Sequence, residues 1–412
     1  MNGLAMQPVM RSLLLLAWCT AVSTGVMAAS ELNVVKQSYE SEQDFYQWLD
    51  SKEGQKASLA QMRQRCDRVQ DAGSNLSCSV SVVARMFELK AANQLPDYYL
   101  TIKRKHARAI EADPELKLLF SMFGDQSLAT LRATGDFTVK TSSRREVLKL
   151  HPYSSDAFVA DEVLPFIDVD AANGHSARFV LDTGAPQTRV NYRTAKLMGI
   201  RLLTDSRYAY STFYGESELS ARLGVLDSIK VGSSEFRNVL VFVSDRDNLL
   251  GLDLISKLGR LKISRGALEL NPAPVVRCES PVVYSRLDIN QRLVIAARLD
   301  KRATQAILDT GNVDYLTSGA PGSQVNGATS LAPGHSSSKA SSQPRYQTFN
   351  GLLKLPGHSL SITYKYYPGF TIPPSWVSGH YVPSILLGWH AFDDFELYLD
   401  IGAGRSCLNK VG

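Results

Sequence analysis

The tripeptide Asp-Thr-Gly occurs twice in this chain, each time at the end of an apolar run. The first copy, Asp182-Thr183-Gly184, follows Phe179-Val180-Leu181, and the second, Asp309-Thr310-Gly311, follows Ala306-Ile307-Leu308. The corresponding threonines are 127 residues apart. An apolar run that ends in turn-forming residues predicts a buried strand with a polar side chain delivered at its end. The fold of this chain therefore has to accommodate two such strands, each ending in a carboxylate.

The repeat extends well beyond the tripeptide. Thr212-Phe213-Tyr214-Gly215 and Leu249-Leu250-Gly251 follow the first copy, whereas Thr348-Phe349-Asn350-Gly351 and Leu386-Leu387-Gly388 follow the second. The second copy is longer between Asp309 and Thr348, where the residues from Gly319 to Arg345 are rich in Ser, Gly, Ala and Pro and predict a loop. An apolar run also precedes each copy, Phe166-Ile167-Asp168-Val169 and Leu293-Val294-Ile295-Ala296. These matches predict a duplicated, β-rich lobe.

The duplicated motifs resemble those of the pepsin and retropepsin aspartic proteases over about residues 145–412. The resemblance implies a mainly β, bilobal acid-protease-type β-barrel fold, built from two compact retropepsin-like lobes in tandem. It also implies that each later apolar pair forms a strand beneath the catalytic loop. Phe213, Tyr214 and Gly215 would form a flap over the substrate. Because Asn350 stands at the matching place in the second copy, we expect a single working flap.

The resemblance implies a catalytic pair formed by Asp182 and Asp309, supported by Thr183, Gly184, Thr310 and Gly311. Two carboxyl groups that face each other at about 3 Å cannot both ionise, so that an acid and a base coexist at one pH. The expected activity is that of an exported aspartic endopeptidase that uses a water molecule activated by this pair. The alternative is a catalytically weak or inactive protease-like protein that binds peptides or partners, which Asn312, in place of a small residue, favours.

The N-terminus predicts export. Arg11 precedes a leucine-rich run, and small residues around Ala28 suit a signal-peptide cleavage site, so we interpret residues 1–28 as a signal peptide. The mature protein would then be periplasmic or secreted, without a membrane span, although an uncleaved anchor stays open. Both signs of charge are interspersed, and the net charge of +5 gives no reason to expect a nucleic-acid partner. The expected partner is a peptide or protein substrate, and the expected state is a monomer.

Residues 29–135 have helical periodicity and are interpreted as an accessory domain or a prosegment. Ser41 with Asp44 resembles a capping box, and Asp113 before Pro114 predicts another helix start. The cluster from Asp71 to Asn75 should interrupt the helices. Strand patterns begin after Gly135, which assigns 136–275 to the first lobe and 276–412 to the second.

Four cysteines remain once Cys19 is removed with the signal peptide, and an oxidising compartment would pair them. Three pairings are open. We favour Cys66 with Cys78 and Cys278 with Cys407, because each pair then crosslinks one structural unit. The sequence contains neither CxxC nor HExxH, so no metal or other cofactor is expected.

Overall fold

The computed structural model describes residues 40–153, 163–210, 213, 219–275, 277–287, 290–322, 324–325, 330–331, 345–368, 370 and 383–412. The predicted signal peptide, Tyr214 and Gly215 lie outside these residues. Within the described part of the chain, no helix is both long enough and apolar enough to cross a membrane. The chain divides into two compact units, one formed by Met1–Arg85 with Asp97–Ser121 and the other by Met86–Pro96 with Met122–Gly412.

Short helices build the first unit. Two capping predictions are confirmed: Ser41 and Asp44 form a capping box at the first helix, and Asp113 Oδ1 accepts a hydrogen bond from Leu116 N at 3.2 Å. The helices that lie in this unit, or begin or end in it, are α1 (Glu42–Asp50), α2 (Lys52–Lys56), α3 (Leu59–Cys66), α4 (Ala72–Glu88), α5 (Leu95–Lys105), α6 (Ala107–Ala112) and α7 (Pro114–Leu119).

The helices are interrupted at residues 67–71, slightly earlier than the predicted break between Asp71 and Asn75. Helix α4 begins at Ala72 and runs through Gly73, while Asp71 Oδ1 accepts a hydrogen bond from Ser74 N at 2.8 Å. The cluster of small polar residues is therefore the start of a helix, because an aspartate side chain satisfies an amide of its first turn. The favoured disulfide between Cys66 and Cys78 is confirmed, and it joins the end of α3 to α4.

The second unit is mainly β. In chain order its helices are α8 (Asp125–Arg132), α9 (Tyr192–Leu197) and α10 (Leu252–Ile255), followed by a 3₁₀ helix at Trp389–Asp393. Its strands are β1 (Thr138–Lys140), β2 (Glu146–Lys149), β3 (His151–Tyr153), β4 (Leu164–Ala171), β5 (Ser176–Leu181), β6 (Arg189–Asn191), β7 (Arg201–Tyr210), β8 (Leu219–Val231), β9 (Ser234–Ser244), β10 (Leu249–Leu250), β11 (Leu261–Ser264), β12 (Ala267–Leu270), β13 (Ser280–Leu287), β14 (Asn290–Leu299), β15 (Arg302–Leu308), β16 (Leu316–Ser318), β17 (Gln324–Val325), β18 (Ser330–Leu331), β19 (Arg345–Leu355), β20 (His358–Tyr366), β21 (Ile385–Leu387), β22 (Phe395–Leu399) and β23 (Ser406–Lys410).

These strands form two sheets, as the bilobal prediction requires. The first follows the order β1-β9-β6-β10-β5-β4-β8-β7, with β3 on β4. The second follows the order β17-β19-β20-β16-β21-β15-β14-β13-β23-β22-β11-β12-β2, with β18 on β19. Strands β2, β11 and β12 precede residue 275 and nevertheless belong to the second sheet. The favoured disulfide between Cys278 and Cys407 is also confirmed, and it joins the chain before β13 to β23.

The two Asp-Thr-Gly copies occupy equivalent places in the two sheets. Strand β10 pairs in parallel with β5 and antiparallel with β6, just as β21 pairs with β15 and β16. The backbone N–H of Asp182 donates to Leu250 O at 3.0 Å, and that of Asp309 donates to Leu387 O at 2.9 Å. A Cβ on Gly251 or on Gly388 would collide with the backbone of the loop that follows the corresponding aspartate. The expected strand beneath each loop is thereby confirmed.

The second Thr-Phe-x-Gly segment lies within a strand. Phe213 lies between β7 and β8, whereas Thr348–Gly351 lies inside β19, where Asn350 pairs with Thr363 of β20. Phe349 is buried and stacks on Tyr364, and a Cβ on Gly351 would press on that tyrosine ring. Burial of the aromatic pair outweighs the turn tendency of Asn-Gly here. Thr348–Gly351 is therefore not a hairpin tip, and the expected match between Asn350 and Tyr214 depends on a residue outside the described part of the chain.

Candidate active site

Asp182 and Asp309 lie side by side although they come from different sheets. Each stands at the end of a strand, β5 or β15, and each is 8% exposed. The two carboxyl groups are close enough for each to affect the pKa of the other. A Cβ on Gly184 would collide with the carboxyl group of Asp309, and a Cβ on Gly311 would collide with that of Asp182. The glycines thus leave the space in which each carboxyl group reaches the opposite loop.

The two threonines hold the loops together. Thr183 N donates to Thr310 Oγ1 at 3.0 Å, and Thr310 N donates to Thr183 Oγ1 at 3.1 Å. Each hydroxyl group donates in turn to a main-chain carbonyl of the opposite strand, Thr183 to Leu308 at 2.8 Å and Thr310 to Leu181 at 2.5 Å. We call this arrangement the threonine pair. It is buried and reciprocal, so it fixes the separation of the two carboxyl groups.

The hydrogen bonds to the two carboxyl groups are not symmetric. Asp182 Oδ1 accepts from Gly184 N at 2.9 Å and from Ala185 N at 2.8 Å. Asp309 Oδ1 accepts from Gly311 N at 3.0 Å, whereas Asn312 N donates to the main-chain oxygen of Asp309. Hydrogen bonds from backbone amides favour an ionised carboxylate. The environment of Asp182 therefore stabilises negative charge better than that of Asp309.

Burial raises the pKa of both aspartates. For Asp182, the hydrogen bond from Ala185 and the positive charge of Arg189 act against this effect of desolvation. The pKa of Asp309 is raised well above its ordinary value, first by desolvation and then by the adjacent negative charge of Asp182. Such a pair titrates as a unit, with one proton retained between two carboxyl groups. The arrangement can supply an acid and a base at the same pH.

Comparisons with known proteins give a match to one family model and to solved structures. Residues 171–257 match the sequence model of a family described as gag-polyprotein putative aspartyl protease. The matched segment includes the first Asp-Thr-Gly copy. Among solved structures, the aspartic proteinase from Irpex lacteus aligns with a TM-score of 0.39 and 11% identity, over 65% of this chain and 98% of that one. A search of curated proteins gives no match.

Arg292 is a charged residue of this site that the sequence did not single out. It lies on β14, it is buried, and its Nη1 donates to Gly184 O. Among the described residues, its Nε has no hydrogen-bond partner. Its positive charge lowers the pKa of Asp309 and thus opposes the larger effects of burial and of Asp182. In the sequence, Arg292 precedes the apolar run of Leu293, and a charge in that place usually marks the exposed end of a strand.

The corresponding position in the first lobe is apolar. Phe166 pairs with Val180 on β5, and Val294 pairs with Ile307 on β15, so Leu164 is the counterpart of Arg292. Leu164 is buried in a cluster with Phe166, Val180 and Val313. The site is therefore asymmetric in charge as well as in hydrogen bonding.

Of the predicted flap, the structure describes Phe213. Its ring lies 5.2 Å from the Arg292 guanidinium and 6.1 Å from the ring of Phe370. Phe213 also packs against a buried cluster that includes Val294, Ile307 and Leu386. Phe213, which lies between β7 and β8, thus contacts side chains from strands of the second sheet.

The side chain of Asn312 is buried and hydrogen-bonded. Its Nδ2 donates to Thr317 Oγ1 at 3.0 Å, and its Oδ1 accepts from Asp314 N at 3.1 Å. Within the described residues, no group of three or more His, Cys, Asp or Glu side chains is arranged to hold a metal ion.

Proposed function

We propose that this protein is an aspartic endopeptidase that hydrolyses peptide bonds with a water molecule held between Asp182 and Asp309. The observation that carries the proposal is the contact of two buried carboxyl groups, each lying against the glycine of the opposite loop. The threonine pair supports it, because the reciprocal hydrogen bonds keep the carboxyl groups together in the absence of substrate.

In the proposed ground state Asp182 is ionised and Asp309 carries the proton. Asp182 has the two backbone hydrogen bonds that stabilise a carboxylate, and the pKa of Asp309 is the more strongly raised. Asp182 takes one proton from water as the water oxygen bonds to the carbonyl carbon, and Asp309 gives its proton to the carbonyl oxygen. Asp182 then protonates the amide nitrogen as the C–N bond breaks, while Asp309 takes a proton back from the diol. Both residues return to their starting states.

The alternative is an inactive or weak protease-like protein that binds peptides or partners. Asn312, the residue that favours it, hydrogen-bonds through its side chain to Thr317 and to the backbone of Asp314. Both lobes lie in one chain, so the proposed site is complete in a monomer. Two disulfides are compatible with export, which we keep as part of the proposal together with the signal peptide at 1–28 and the helical accessory domain at 29–135.

The test is cleavage of a diverse peptide library by the wild-type protein and by Asp182→Asn and Asp309→Asn, each alone. Asp245→Asn is the matched control, because Asp245 is exposed. We expect cleavage by the wild type and the control, and loss of cleavage in both site variants with an unchanged circular dichroism spectrum. Cleavage by either site variant would contradict a shared site. A wild type that binds peptides without cutting them would favour the binding protein.

A further inference from the structure

Lys90 ends helix α4 in a conformation that a lysine rarely adopts. Its φ is +58°, in the left-handed region. Lys90 N donates to Phe87 O at 3.2 Å and Ala91 N donates to Met86 O at 2.9 Å, the hydrogen bonds of a Schellman helix end. Glycine is the usual residue at this position, because a side chain adds steric cost in the left-handed region. The presence of lysine calls for a compensating role of its side chain.

The side chain of Lys90 is buried in the second unit. The residue is 1% exposed, and its ammonium group forms an ion pair with the Asp253 carboxylate. The ammonium group also donates to Gln187 Oε1 at 2.9 Å and to Leu240 O at 2.8 Å. Three acceptors therefore surround a cation that is removed from water, which is the condition under which a buried lysine remains charged.

Asp253 connects Lys90 to the loop that carries Asp182 through hydrogen bonds of Thr188. Thr188 Oγ1 donates to Asp253 Oδ1 at 2.7 Å, and Gly251 N donates to Thr188 Oγ1 at 3.1 Å. Thr188 and Gln187, which contact Asp253 and Lys90, belong to the same loop as Asp182. Lys90 thus bonds this loop directly through Gln187 and indirectly through Asp253.

Further contacts attach the segment around Lys90 to the first sheet. The ring of Phe87 stacks at 6.3 Å on Phe123 and at 6.2 Å on Phe242 of β9. Lys257 Nζ donates to Glu88 O at 2.7 Å. These contacts and those of Lys90 explain why Met86–Pro96 belongs to the β-rich unit although helices of the other unit flank it in sequence.

We propose that Met86–Pro96 is a permanent part of the catalytic unit and that Lys90 is a positioning residue for the loop of Asp182. The positioning role of Lys90 rests on the proposed function, whereas the permanence of Met86–Pro96 does not. Removal of this segment would leave the buried Asp253 carboxylate without its cation, which is strongly unfavourable. The helical region can therefore be cleaved elsewhere, but it is not a prosegment that departs as a whole.

The kinetic test compares Lys90→Met with Lys196→Met, a control at an exposed lysine of the same unit. We expect Lys90→Met to lower kcat by about tenfold to a hundredfold with little change in KM, because the loop of Asp182 shifts. We expect the control to match the wild type. The double variant Lys90→Met/Asp253→Asn removes both charges and should recover most of the loss. A folded Lys90→Met with wild-type kcat would overturn the positioning role, as would a double variant no better than the single one.

Two readouts remain decisive if Lys90→Met does not fold or if the wild type cleaves no peptide. Intact-mass and N-terminal analysis of the mature, folded protein should recover Met86–Pro96, either in the main chain or as a bound fragment. A mature folded protein that lacks these residues would overturn the permanence of the segment. A ¹³C NMR titration of aspartate carboxyl groups needs no substrate, and Asp182 should titrate differently in the wild type and in Gln187→Met, which removes the direct contact of Lys90 with the loop and keeps the ion pair with Asp253. Identical titration curves would overturn the positioning role independently of proteolysis.

Discussion

Thr183 and Thr310 each accept, through the side-chain hydroxyl, a hydrogen bond from the backbone N–H of the other. The two residues are 127 positions apart and come from different sheets, so this exchange is one of the most direct links between the two halves of the β-rich unit. Both are fully buried. Loss of one hydroxyl group therefore leaves a buried amide of the opposite loop without its acceptor.

The threonine pair predicts a difference between two similar substitutions. Thr310→Val keeps the shape of the side chain but removes the acceptor for Thr183 N, so we expect the free energy of unfolding to fall by about 1–3 kcal/mol. Thr310→Ser keeps the hydroxyl group and should lie close to the wild type. Urea denaturation followed by tryptophan fluorescence measures both. Equal stability of the valine and serine variants would show that the hydroxyl group contributes little.

The glycines of the two loops should matter more for activity than for stability. A Cβ at Gly184 presses on Asp309, and a Cβ at Gly311 presses on Asp182, so alanine at either position displaces the opposite carboxyl group. We expect Gly184→Ala and Gly311→Ala each to lower kcat/KM by about a hundredfold or more. Thermal unfolding midpoints should change little by comparison. A variant that unfolds instead of losing activity would assign the glycine a structural role.

Arg292 should set the upper pH limit of activity. Its charge favours the ionised form of Asp309, so its removal raises the pKa of Asp309 further. Arg292→Leu copies the counterpart residue Leu164, and Arg298→Leu on the same strand is an exposed control. Because activity falls when Asp309 loses its proton, the alkaline limb of the kcat profile should move to higher pH in Arg292→Leu alone. A shift to lower pH, or the same shift in Arg298→Leu, would contradict this role.

The raised pKa values of the pair also predict a pH-dependent effect on stability. A carboxyl group whose pKa is higher in the folded state than in the unfolded state stabilises the fold below its unfolded pKa of about 4, and this stabilisation is lost as the pH rises through the folded pKa. Asp309→Asn removes that dependence. The variant should therefore match the wild type most closely near pH 3 and become the more stable protein toward neutral pH. Calorimetry from pH 3 to 8 measures the difference, and a constant difference would contradict the raised pKa.

The sequence predicted the features that depend on short segments. The apolar runs before Asp182 and Asp309 become β5 and β15, and the later Leu-Leu-Gly segments lie beside them as β10 and β21. Ser41 caps a helix as its spacing with Asp44 indicated. In each case the residues that determine the structure are close together in the chain or belong to the duplicated motifs.

The features that the sequence did not predict depend on distant partners. In the sequence, Lys90 looks like a solvated lysine that follows a helix. In the structure it is buried and contacts Asp253 and Leu240, which are distant in the chain. In the sequence, Arg292 looks like the polar end of a strand. In the structure it donates a hydrogen bond to the main-chain oxygen of Gly184. Asn350-Gly351 resembles a turn, but the stacking of Phe349 on Tyr364 keeps it in a strand. Local patterns contain no information about these long-range contacts.

The ¹³C NMR titration of the carboxyl groups of Asp182 and Asp309, in the wild type and in each single Asn variant, tests the central claim most directly. We predict two coupled steps in the wild type, the upper one well above the ordinary aspartate pKa, and loss of that upper step when either partner is replaced. Two independent titrations near pH 4, each unchanged by replacement of the other residue, would show that the carboxyl groups do not share a proton.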